Sequence, residues 1–199
     1  MRVFGIDPGS ERTGYGCVET DGRRHRLVAC GAISTAGAAC FAARLGVIHG
    51  GLTDLLRECA PTVVAIENVF YATNVRSALK LGHARGVAML AAVEAGVEVV
   101  EYTPAEIKRA VVGYGRAEKT QVQQMVKLLL GLAAAPQPHD AADALAVALC
   151  HVHKIPGALA STGAARPVPS TTARSWRAYR PAEPPVVRLV PARAGARRP

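Results

Sequence analysis

Aromatic side chains are scarce, and long apolar runs are missing. Phe, Trp and Tyr make up 5% of 199 residues although half the chain is hydrophobic, so the core must be built from Ala, Val and Leu. No apolar run approaches the roughly 18 residues of a membrane span. The opening "MRVFGID" starts directly as a strand, without the apolar region of a signal peptide. A cytoplasmic protein with no membrane partner is expected. Five cysteines (Cys17, Cys30, Cys40, Cys59, Cys150) are scattered without a C-x-x-C, which argues against a zinc frame or disulfide scaffold and for reduced thiols.

Acid is nearly missing from one end. Residues 157–199 hold eight arginines against Glu183 alone, and seven of the 13 prolines. With little apolar periodicity, this segment reads as a disordered basic tail. Residues 1–156 are near neutral and long enough for one domain with a core of its own. A basic tail suits nucleic acid electrostatically, but only as weak evidence.

Within the domain, "RVFGID" (2–7) reads as a strand stopped by "PGS", and 13–19 and 26–33 as two more strands joined through Asp21-Gly22. Residues 41–59 carry helical spacing, and "TVVAIE" (62–67) is an apolar strand of the kind covered on both faces. A helix at 75–95, a strand at 97–102 and helices at 104–112, 117–132 and 139–154 complete the order βββαβαβααα. That order predicts an α/β fold, a mixed five-stranded sheet flanked by helices.

The acids sit where apolar elements stop. Asp7 ends the first strand, Glu67 ends the fourth, and Asp140 and Asp143 open the last helix. Two aspartates in a first helical turn often only complement the helix dipole or cap it. However, if strands one and four are parallel neighbours, Asp7 and Glu67 emerge together at the carboxyl edge of the sheet, where α/β ligand sites gather. Four carboxylates converging there would repel one another unless cations held them. Donors made only of oxygen suit Mg²⁺ or Mn²⁺ rather than zinc.

Five blocks then carry a resemblance: "GIDPGSERTGYG" (5–16), "AIENVFYATNVRSALKLGHARG" (65–86), "EYTPAEIKRAVVG" (101–113), "AEKTQVQ" (117–123) and "HDAADALAVA" (139–148). Together they resemble the RuvC family of bacterial Holliday-junction resolvases, over residues 2–154 and in the same order; no block lies in the tail. The resemblance implies a ribonuclease-H-like fold and a homodimeric, Mg²⁺-dependent endonuclease. Such an enzyme is expected to cut four-way junction DNA by paired symmetric nicks in recombination and repair, alongside the RuvA–RuvB branch-migration complex. It implies catalytic and metal-binding roles for Asp7, Glu67, Asp140 and Asp143, with two ions per subunit and Mn²⁺ able to substitute. The D-A-A-D spacing favours Asp140 over the adjacent His139 as first acid of the last motif.

The same blocks place Lys108 and Lys119 as DNA contacts against a background of solvated surface lysines. Arg76 and Lys80 add charge one helical turn apart. Phe70, three residues past Glu67, is a candidate to stack on an unpaired base, with Tyr71 beside it; the alternative is a loop anchor. Gly82 and Gly86 make a small-residue strip open to packing on the sheet or to a dimer contact. His151 and His153 face apart, and His25 and His49 read as surface residues. Two rival readings are a junction-binding protein without catalysis and a nucleotide-binding domain of the sugar-kinase and actin type. The latter shares a first-strand turn like "DPGSERTG" but generally needs two such domains. The K-L-G-H-A-R-G and A-E-K blocks favour RuvC over shorter YqgF-type relatives.

Overall fold

The structure, a computed structural model, describes residues 1–68 and 74–155. Phe70, Tyr71 and the segment 157–199 lie outside the described residues. Ten elements follow in the expected order: β1 (Arg2–Asp7), β2 (Arg12–Thr20), β3 (His25–Ser34), α1 (Phe41–Cys59), β4 (Val63–Glu67), α2 (Val75–Glu94), β5 (Glu98–Tyr102), α3 (Pro104–Val112), α4 (Lys119–Leu129) and α5 (His139–Lys154).

The sheet runs β3-β2-β1-β4-β5. The hairpin strands pair antiparallel, and β1–β4 and β4–β5 pair parallel. Central β1 is apolar on both faces because both are covered. Phe4 and Ile6 join a core with α1 and α2, while Val3 joins the opposite core with α3, α4 and α5. Fully burying each of these side chains contributes about 1.5–3 kcal/mol.

With so few aromatics, close approach replaces bulk. On α5, Ala141, Ala142, Ala144, Ala146 and Ala148 are buried together with Leu145 and Leu149. The helix backbone lies almost on the sheet. A Cβ at Gly5 would stand 2.0 Å from the Ala144 carbonyl oxygen, and one at Gly14 would stand 2.1 Å from that of Asp140. Gly14 pairs with Asp7 across β1 and β2. Glycine at these positions therefore sets how near the first turn of α5 comes to the end of β1.

The histidines expected at the surface are more engaged than that. His25 is half-buried, bonded to the Thr20 hydroxyl at 2.9 Å, with its ring centroid 5.6 Å from that of His153. His49 bonds Glu94 at 2.8 Å. Both sit where a helix or hairpin folds back over a polar edge, which spacing along one segment does not reveal.

Candidate active site

Parallel pairing brings two acids together. Ile6 is in register with Ile66, so Asp7 and Glu67 follow side by side at the carboxyl ends of β1 and β4. By the alternation along each strand, both side chains point to the α5 face. There α5 delivers Asp143, α3 delivers Lys108 and α4 delivers Lys119. Asp7, Glu67, Asp143, Lys108 and Lys119 line one cleft of about 340 Å³.

Local structure fixes the two lysines. In α3, Thr103 and Glu106 cap each other's backbone N–H groups, and Lys108 follows half a turn later. At α4, the Gln121 side chain accepts the Glu118 backbone N–H at 2.8 Å, and Lys119 is the first helical residue. Lys119 Nζ then reaches Asp143 Oδ2 at 2.5 Å.

The electrostatics are those of crowded negative charge. Burial pushes the Asp7 carboxyl up to about 8, helped by the charges of Glu67 and Asp143 and by its hydrogen bond with Glu67; Lys119 opposes the rise. Glu67 is also raised, by burial first and then by Asp143. Burial works against the charge of Lys119, but the Asp143 hydrogen bond and the charges of Asp143, Asp7 and Asp140 outweigh it and raise its pKa.

The fourth acid stands at the side of this cluster. Asp140 does not line the cleft; its carboxylate lies 3.9 Å from Arg12 Nε and is 30% exposed, against 19% for Asp143. The first turn of α5 rests over β2 at Gly14, and from there the charge of Asp140 still acts on Lys119 together with those of Asp143 and Asp7. Neither aspartate caps α5, whose N-cap is Pro138 and which has no side-chain cap bond. His139 is held by Gln123 of α4, 2.8 Å from its Nδ1. Arg76 lies on the exposed first turn of α2, outside the cleft. Sequence reasoning passed over Arg12; its place inside the "GSERTG" turn, seven residues from Gly5, was the available signal.

The donor set fits a hard divalent cation: three carboxylates, oxygen only, with a buried acid that resists its own charge. Among the described residues, no three acid, imidazole or thiol side chains already surround one point at metal-binding distance. Lys119 holds Asp143 instead.

Comparison with known proteins decides the family. Residues 3–151 match the family described as crossover junction endodeoxyribonuclease RuvC. The chain belongs to the RuvC family. It is 58% identical over 153 residues to the RuvC of Syntrophotalea carbinolica, covering 77% of this chain and 94% of that one. It is 52% identical over 181 residues to the RuvC of Trichlorobacter lovleyi, covering 91% of this chain and all of that one. The second match extends past residue 156, so likeness to RuvC does reach into the basic segment. In structure, the chain resembles Thermus thermophilus RuvC in complex with Holliday junction substrate, with TM-score 0.73 and 40% identity over 77% of this chain and 93% of that one. These RuvC likenesses span the ribonuclease-H-like domain and leave the sugar-kinase and actin reading unsupported.

Proposed function

We propose that this chain resolves four-way DNA junctions by hydrolysing phosphodiester bonds at the cleft formed by Asp7, Glu67 and Asp143. The observation that carries the reading is the crowding of three carboxylates on the sheet edge of a RuvC-family chain, with Asp7 pushed up to about 8. The family is divalent-metal dependent. Mg²⁺, two ions per subunit, suits these donors, and Mn²⁺ can replace it. Bound there, such ions lower the pKa of an attacking water and relieve charge on the leaving oxygen.

In this reading Asp7, on the rigid central strand, and Glu67 and Asp143 beside it would hold the metal. Lys119, now paired with Asp143, would be free to meet a DNA phosphate beside Lys108 if a cation took that carboxylate. Asp140, 3.9 Å from Arg12, is the fourth proposed catalytic and metal-binding acid. Arg76 and Phe70 are proposed contacts to DNA near the junction centre; Phe70 lies outside the described residues.

We also propose a homodimer. Two opposed cuts require two sites, and a two-fold dimer matches the junction's own symmetry. Support comes from α2, which turns Val75, Leu79, Leu90 and Val93 outward, with Val75 76% exposed. Leu79, Gly82, Gly86 and Leu90 line a surface groove of about 480 Å³. A Cβ at either glycine would meet nothing within 4 Å, so the strip is open to a second helix and is not used against the sheet. Cytoplasmic action with the RuvA–RuvB complex belongs to the same proposal, as does a separate tail from residue 157. Among the described residues no helix is long and apolar enough to cross a membrane.

Incubating the protein with a synthetic four-way junction or a linear duplex, with and without Mg²⁺, tests the reading. Metal-dependent nicking confined to the junction is expected; equal cutting of the duplex would contradict it.

A further inference from the structure

The turn between α3 and α4 carries an aromatic side chain that packing does not explain. Tyr114 is 47% exposed in a chain with few aromatics, yet it is fixed. Its hydroxyl donates to Gln121 Oε1 at 2.8 Å, the same oxygen that accepts the Glu118 backbone N–H. The turn is itself held in shape. Gly113 ends α3 at φ +99°, and a Cβ at Gly115 would come 3.3 Å from the Ala105 carbonyl oxygen. Ala117 anchors it in the core. Arg116, between them, is exposed and has no ion pair among the described residues. Three residues on, Lys119 lines the acidic cleft.

A hydrogen-bonded, exposed ring two residues from an uncompensated guanidinium fits a ligand with an apolar sugar face next to a negative charge. We propose that Tyr114 and Arg116 form a backbone clamp for a duplex arm of the junction, the ring packing on a deoxyribose and the guanidinium pairing with a phosphate. The clamp rests on the resolvase reading. It adds a contact on the outer side of Lys119 and makes the α3–α4 turn a determinant of how the arm leaves the cleft.

Junction binding by the full chain, measured in Ca²⁺ across a salt series, tests it. Arg116→Ala should reduce the slope of log Kd against log salt by about 0.9, one phosphate contact. Tyr114→Ala should weaken binding about fivefold or more with the slope unchanged, in the range of lost aromatic contacts to nucleic acid. Tyr114→Phe keeps the ring and should lose less. Arg57→Ala, outside the cleft and paired with Asp54, should bind as wild type, and all four variants should melt as wild type. Wild-type affinity and slope in Arg116→Ala, or wild-type affinity in Tyr114→Ala, overturns the clamp while the resolvase reading stands if Mg²⁺-dependent junction nicking persists. A wild-type chain that neither binds nor nicks junctions overturns both.

Discussion

Replacing Asp7 by Asn should make the metal-free protein more stable while removing its activity. Burial and the neighbouring charges of Glu67 and Asp143 push the Asp7 carboxyl up to about 8 in the folded chain, from 3.8 for an unperturbed aspartate. Between those values the folded chain holds a proton that the unfolded chain has lost. Rising pH therefore favours unfolding across the window from about 4 to about 8. Each pH unit costs about 1.4 kcal/mol, so the ceiling is about 6 kcal/mol. The Asp7–Glu67 pair shares that proton and Lys119 offsets part of its loss, so a difference of about 2–4 kcal/mol is expected. Asn mimics the protonated acid at constant size. Urea denaturation in EDTA at pH 5 and pH 9 reads the effect, and subtracting the variant's curve from wild type cancels the histidines and thiols. Asp7→Asn should have only a small advantage at pH 5, at most about 1.6 kcal/mol by the same arithmetic, and its full advantage at pH 9. Mg²⁺ should then restore wild type but not the variant. An Asp7→Asn protein that is less stable than wild type at pH 9 without metal would refute the reasoning.

The other acids and surfaces yield shorter tests. Asp143→Asn releases Lys119 and removes a proposed ligand, so single-turnover junction cleavage should fall by at least about a hundredfold, as for loss of one charge-stabilising group, with junction binding nearly intact. Gly14→Ala drives a methyl to within 2.1 Å of the Asp140 carbonyl oxygen. It should cost about 1–3 kcal/mol or more in a thermal melt and lower cleavage by lifting the first turn of α5. Gly86→Leu should weaken self-association in sedimentation and convert paired incision into single nicks. Truncation after Pro156 should flatten the salt dependence of DNA binding, since eight arginines go with the tail, and leave junction cleavage at low salt.

Periodicity made the fold legible because its elements alternate between two faces that both need covering. The unbroken apolar strand at 62–67 announced a central position, and the 3.6-residue spacing of α1 announced one covered side. Apolar spacing carries α4 on to 132, but the helix stops at Leu129, because Leu130 packs in the core after the helix has stopped and Gly131 turns the chain at φ +61°. Asp7 and Glu67 were legible as a pair because parallel register follows from strand type. The Arg12 neighbour of Asp140 was not, because three-residue spacing puts two acids on one helix face without saying which strand that face overlies. Long-range partners were also invisible. Lys119 holding Asp143, Arg12 beside Asp140 and Tyr114 bonded to Gln121 all depend on how separate elements dock.

Two copies of this acidic cleft should make paired cuts in a four-way junction. Mapping both incisions on end-labelled junctions in Mg²⁺, wild type beside Asp143→Asn, tests it most directly. Nicks are expected at symmetry-related positions in two strands of like polarity, with 5′-phosphate ends that a ligase seals, and almost none from the variant. Unpaired or staggered cuts from wild type, or undiminished cutting by Asp143→Asn, would contradict it.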